Sequence, residues 1–137
     1  MSVVAHGIDL CEVERIARMI ERHGDRFLTR CFTAAELAYA DASAKRRDEH
    51  LAARFAAKEA VLKAIGTGWS QGIAWTDVEV TRANSGAPGV QLTGRAAAIA
   101  IERGIERWSL SLSHAGGMAV ASAIGLGWDG SRDEAVG

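Results

Sequence analysis

In the stretch RFAAKEAVLKAIGTG, residues 54–68, three charged side chains beyond the leading Arg54 stand among alanines and large aliphatic residues, just ahead of a glycine turn. They are Lys58, Glu59 and Lys63, and the turn is Gly66-Thr67-Gly68. One carboxylate and two ammonium groups suit a polyanionic ligand and its metal ion, and exposed backbone N–H groups in such a turn can bind phosphate oxygens. Plainer readings compete. Glu59 and Lys63 have the i,i+4 spacing of a surface ion pair worth about 0.3–0.5 kcal/mol. Lys58 could snorkel to the surface, and GTG is also an ordinary helix stop.

The helix that carries these charges is unusual. At 100° per residue, Leu51, Phe55, Leu62 and Ile65 share a narrow arc that includes Lys58. Ala53, Ala56, Ala57, Ala60 and Ala64 cluster opposite, with Glu59 and Lys63 on the boundary. One face is a core stripe and the other admits a closely packed neighbour. The helix is therefore expected to be central and covered nearly all round, which makes its charges costly unless they have partners.

The remaining elements follow from periodicity. SVVAHGID reads as a first strand, with Asp9 at its end as a possible cap for a helix beginning near Cys11 and stopped by Gly24. Thr33 and Glu36 form a capping-box pattern opening a short helix. The long helix is expected from about Lys45 to Ile65. Strands follow near 76–82 and in VQLTG, joined by the turn NSGAPG, which holds the only proline. A helix from Thr93 to about Arg103 leads to two alternating strands, WSLSLSH and GGMAVASAIGL, linked by a tight turn at Ala115–Gly117. The order β-α-α-α-β-β-α-β-β predicts a single α+β domain over 1–125, with a largely antiparallel sheet around a long central helix. The polar, glycine-rich residues 126–137 are expected to be a disordered tail.

Composition narrows the classes. The chain has 137 residues, 48% hydrophobic and 24% charged, with 16 basic and 17 acidic side chains. That is globular composition with no general electrostatic case for nucleic acid or a membrane surface. Cys11 and Cys31 lie far apart and read as reduced thiols. The N-terminus lacks a signal-peptide pattern and no segment reaches membrane-span length, so a cytoplasmic location is expected.

Six motifs occur in order: GID at 7–9, FT..E at 32–36, RFAAKEAVLKAIGTG at 54–68, W.D.EV at 75–80, G.P.V.L.G at 86–94 and SLSH..G.AVA at 111–121. Together they closely resemble the short, single-domain 4′-phosphopantetheinyl transferases, the holo-acyl-carrier-protein synthases. The resemblance covers residues 3–124, and RFAAKEA..KA is its most specific piece. It implies transfer of the phosphopantetheine arm of coenzyme A to a serine of an apo acyl carrier protein, with release of 3′,5′-ADP. It also implies magnesium, a homotrimer and active sites between subunits. The longer monomeric relatives repeat the fold, and this chain shows no repeat.

By the same resemblance Asp9 and Glu59 are metal ligands, a donor set suited to hard Mg²⁺. Lys63 contacts phosphate and stabilises the departing ADP oxygen, Lys58 is a second phosphate contact, and His114 lies near the phosphates. A base for the serine proton could be Glu59 or a water on the metal, the water being preferred. The Gly86-Ala87-Pro88 loop corresponds to one that meets the adenine end of coenzyme A from a neighbouring subunit. The basic residue that relatives often carry around this proline is replaced here by Ala87 and Gly89. Ala115 and the Ala5-His6 pair are further departures.

Arg15, Met19, Arg22 and Arg26 align with the family's docking helix for its acidic partner, where a methionine ringed by arginines suits a hydrophobic contact with a charged rim. On residues alone the charges nearly balance, and a solvated face mixing Arg with Glu12, Glu14 and Glu21 is the preferred reading. Two other functions compete with the transferase: a non-catalytic module binding coenzyme A or a carrier, and a phosphate-binding trimer acting on another nucleotide-like substrate.

Overall fold

The computed structural model describes residues 1–128. Its elements are β1 (Ser2–Glu12), α1 (Val13–His23), α2 (Asp25–Cys31), α3 (Ala34–Asp41), α4 (Arg47–Ile65), β2 (Val78–Arg82), β3 (Pro88–Leu92), α5 (Gly94–Glu102), β4 (Ile105–Ala115) and β5 (Met118–Gly127). Short 3₁₀ turns at Ala44–Arg46 and Trp75–Asp77 precede α4 and β2. The strands form two antiparallel sheets, β1-β5-β4 and β2-β3. This is the expected α+β architecture around one long helix.

α4 crosses the inner face of the three-stranded sheet. Gly7, Asp9 and Cys11 on β1 stand in rows with Ala123, Ala121 and Ala119 on β5, and with Leu110, Leu112 and His114 on β4. The β5 residues of these rows are all small, so the alanine stripe of α4 settles directly on the sheet within one chain. Ala52, Ala56, Ala57 and Ala60 are fully buried there. The closest approach is at Gly7, where a Cβ would lie 1.9 Å from the Ala60 carbonyl oxygen. On its other side α4 meets an aromatic core in which Phe27 packs edge-on to Phe32 at 5.8 Å and tilted to Phe55 at 6.4 Å.

Several local expectations are revised. β1 continues through Glu12, because Asp9 to Glu12 pair with Ala121 to Met118. Asp9 is thus inside the strand and does not cap α1, whose N-cap is Glu12 without a side-chain bond. Gly24 does end α1, at φ 53°, and the chain then enters α2, which the periodicity did not separate from α1. Seven residues give too few turns for a recognisable stripe. β5 runs to Gly127, past the expected boundary at 125, and residues 129–137 of the expected tail lie outside the described residues.

The outer face of the three-stranded sheet carries His6, Ile8 and Leu10 from β1, Val120 and Ile124 from β5, and Ser109, Ser111 and Ser113 from β4. Ile8 and Leu10 are 56% and 58% exposed.

Candidate active site

The middle of α4 is buried from Leu51 to Lys58, and Glu59 and Lys63 are its charged positions that reach solvent. Lys63 Nζ donates to Asp9 Oδ1 at 2.8 Å and to the Ile8 carbonyl at 3.1 Å. The bond to Asp9 and its charge push the Lys63 ammonium above its ordinary pKa, with Glu59 adding in the same direction. Among the described residues Glu59 has no ion-pair partner, so the i,i+4 pair with Lys63 is not made; the lysine goes to Asp9. Both carboxylates also act on the Cys11 thiol. Burial is the main cause that raises it to about 11, Arg15 opposes, and Asp9 and Glu59 add to the rise. Asp9, Glu59 and Lys63 therefore form one cluster, drawn from a strand and a helix remote in the chain.

Oxygen donors of this type fit a hard divalent ion. The cation already resting on Asp9 is an ammonium, which marks the place as favourable to positive charge. Among the described residues no group of three or more His, Cys, Asp or Glu side chains gathers around a metal position. Two carboxylates alone match Mg²⁺, which keeps waters and takes substrate phosphates for its remaining positions.

Two expected phosphate contacts are corrected. Lys58 is fully buried and does not snorkel. Its ammonium lies 2.8 Å from Glu36 Oε1, donates to the Trp75 carbonyl at 3.2 Å, and makes a close contact with the Val78 carbonyl. Burial lowers its pKa, and the Glu36 charge opposes that. With its protons committed inside the core, Lys58 is not a phosphate ligand. The Gly66 and Thr67 N–H groups are also occupied. They bond to the Leu62 and Lys63 carbonyls and complete an α4 C-cap with Gly66 at φ 76°. A helix C-terminus carries negative partial charge, so this turn does not cradle an anion through those two groups.

His114 is not brought to the cluster. Its Nδ1 lies 3.9 Å from Glu49 Oε2. Glu49 and Lys63 are about 21 Å apart along the axis of α4. The Gly86-Ala87-Pro88 loop belongs to the β2–β3 hairpin of the other sheet, where Arg82 donates to the Gly86 carbonyl at 2.6 Å. Arg82 was not anticipated, nor were its neighbours. The Arg54 and Arg82 guanidiniums sit 4.1 and 5.2 Å from the Tyr39 ring, and His50 packs against the same ring at 5.0 Å. Burial, then Arg54, Arg82 and Arg46, push the His50 pKa down. Arg54 Nε is buried without a hydrogen-bond partner. The spacing of Arg46, His50 and Arg54 at every fourth residue carried this signal; Arg82 joins only through the fold.

The expected docking residues are partly gathered. Arg15, Met19 and Arg26 line a groove of about 640 Å³, and Arg22 is exposed on α1 outside its lining. The groove adds His23, Arg30, Phe27, Phe55 and Trp75, which sequence spacing did not connect. Two of its lining rings stack, Phe55 on Trp75 at 4.7 Å, and Trp69 stacks on Trp75 at 3.6 Å from outside the lining. Arg15 lies 5.2 Å over the Phe55 ring.

Known proteins are similar to this chain in sequence and fold. The chain is 52% identical over 127 residues to a holo-[acyl-carrier-protein] synthase of Desulforudis audaxviator, covering 91% of this chain and 94% of the relative. The fold superposes on a holo-[acyl-carrier-protein] synthase of Neisseria meningitidis with TM-score 0.80 at 31% identity, covering 90% of this chain and 98% of the other. A Helicobacter pylori holo-[acyl-carrier-protein] synthase in complex with coenzyme A gives TM-score 0.77 at 26% identity, covering 88% and 99%. Residues 5–121 match the family described as the 4′-phosphopantetheinyl transferase superfamily, and with the carboxylate–lysine cluster in place the chain belongs to that family.

Proposed function

We propose that the chain transfers the 4′-phosphopantetheine arm of coenzyme A to a serine of an apo acyl carrier protein and releases 3′,5′-ADP. The observation that carries this is the meeting of Asp9, Lys63 and Glu59 on the solvent-reaching side of the second half of α4. The carrier's serine oxygen gives up its proton to a water beside Glu59, or to Glu59 itself, and bonds to the phosphorus that bears the pantetheine arm. The bond from that phosphorus to the bridging oxygen breaks, and the oxygen leaves with ADP. Lys63 holds a proton beside that departing oxygen and offsets its charge. Asp9 and Glu59 would hold Mg²⁺, which when bound clamps the diphosphate and neutralises its charge. The nucleophile arrives with the carrier, so the chain needs none of its own.

Coenzyme A differs from smaller diphosphates in its 3′-phosphate, and the exposed Arg46 and Arg82 beside His50 suit that group, with Arg54 buried behind them. The cluster and His114 lie toward the start of α4, and Asp9 and Lys63 meet near its end. A neighbouring protomer that brings its basic cluster and His114 against the Asp9–Glu59–Lys63 site would let both act on one molecule of coenzyme A. The outer face of the β1-β5-β4 sheet, where Ile8 and Leu10 stand exposed, supplies a surface for that association, and a homotrimer with sites between subunits accommodates it. The basic groove of α1 suits an acidic carrier. Two free, buried thiols suit the reducing cytoplasm.

The test is mass spectrometry of an apo carrier incubated with the protein, coenzyme A and Mg²⁺. A gain of one phosphopantetheine group is expected, with Glu59→Gln slower by at least about a hundredfold. Binding without modification would instead support a non-catalytic module. Wild-type turnover by Glu59→Gln would remove the metal assignment.

A further inference from the structure

Lys58 and Glu36 form a closed buried network that the transfer chemistry does not use. Both side chains are 0% exposed. Glu36 Oε1 accepts from the Thr33 N–H at 2.9 Å and from Lys58 at 2.8 Å, and Oε2 accepts from the Val80 N–H at 2.9 Å. Lys58 reaches the Trp75 and Val78 carbonyls in turn. Three elements are thus tied together: the start of α3, the middle of α4 and the segment entering β2. A buried ion pair is weak support for stability, because apolar residues of equal volume often serve as well. What this pair does that apolar residues could not is grip two backbone carbonyls of a loop.

That loop carries Trp75, which lines the basic groove and stacks on Phe55. Lys58 is also next to Glu59. Successive helical residues point about 100° apart, so one turn of α4 presents a carboxylate to the phosphate site and an ammonium to the wall of the groove. We propose that Lys58 and Glu36 are positioning residues for the carrier: they hold Trp75 in the groove wall and so set carrier affinity, without touching coenzyme A. The inference rests on the transferase reading.

The test is steady-state kinetics with carrier and coenzyme A varied separately. Lys58→Met alone would strand a buried carboxylate, so the main variant is Glu36→Gln/Lys58→Met, which removes both charges and nearly keeps their volume. The carrier KM is expected to rise about tenfold, with the coenzyme A KM and kcat at saturating carrier within about twofold of wild type. Trp75→Ala should raise the carrier KM similarly, and adding it to the double variant should raise it no further, since both changes remove one effect. A merely structural pair would move both KM values or add its loss to that of Trp75→Ala. Either result overturns the proposal, as does an unchanged carrier KM in Trp75→Ala, whatever the pair variants do. If wild-type protein leaves the carrier unmodified, the transferase reading fails instead.

Discussion

Gly7 is the first residue of the GID motif, and its role follows from geometry. Replacing it with alanine would place a Cβ 1.9 Å from the Ala60 oxygen, 2.8 Å from the Ala64 nitrogen and 2.9 Å from the Ala60 carbon. All three are backbone atoms in the middle of α4, so no side chain can rotate away. Ordinary contact begins near 3.4 Å, so β1 and α4 must separate by about 1.5 Å. A gap of that size forfeits more than half of the dispersion attraction along the Ala56–Ala60 seam. Overpacking costs typically 1–3 kcal/mol, and backbone on both sides puts this case at about 3 kcal/mol or above. For a chain of this size that lowers Tm by roughly 10 °C. Gly72→Ala is the control. Its site has no neighbour within 4 Å and only a positive φ of 80°, so it should lose about 1 kcal/mol. The same displacement moves Asp9, two residues along β1, away from Lys63. Activity of folded Gly7→Ala protein should therefore fall about a hundredfold. Calorimetry and the transfer assay at 20 °C read the two effects. A Gly7→Ala protein melting within about 3 °C of wild type would refute the reasoning.

Two further outcomes follow from the structure. Ile8→Glu places a charge on the exposed outer sheet face, so sedimentation should show it as a 14.5 kDa monomer where wild type is about three times larger. A monomeric wild type, or an Ile8→Glu protein that still assembles, excludes that face as the interface. The Cys11 thiol is held up to about 11 against 9.0 in an unstructured chain. The folded state therefore keeps a proton that the unfolded state releases, and this stability is fully present below pH 9 and lost as pH rises toward 11. Urea unfolding between pH 8 and 11 should show wild type losing more stability than Cys11→Ala. Cys31 is raised as well and leaves a residual slope in the variant. Equal slopes in both proteins would contradict the assignment.

Much of the fold was legible because its signals are local. The Thr33–Glu36 capping box forms as its spacing implies, with both reciprocal bonds present. Gly66 stops α4, and the alternation of WSLSLSH and GGMAVASAIGL becomes the β4–β5 ladder. The surrounded character of α4 was readable from its two apolar faces. Side-chain type and spacing alone therefore determined the element order, the central helix and the segments that carry the chemistry.

Which charges those faces hide was decided only by tertiary packing. Lys58 and Lys63 are one and a half turns apart on the same helix, yet the first is sealed against Glu36 and the second is half-open beside Asp9. Periodicity states which residues share a face. It does not state whether a strand, an aromatic core or water lies against that face. The same holds for β1, where pairing with β5 carried the strand past Asp9 and overrode a local capping signal. It holds too for His114, which meets Glu49 about 15 Å along α4 from Glu59, and for the Tyr39 cluster, which Arg82 joins only through the fold. Local chemistry chose the elements of this protein, and long-range pairing chose their neighbours, because the free energy of a charge such as Lys58 or Lys63 depends on partners dozens of residues away in the chain.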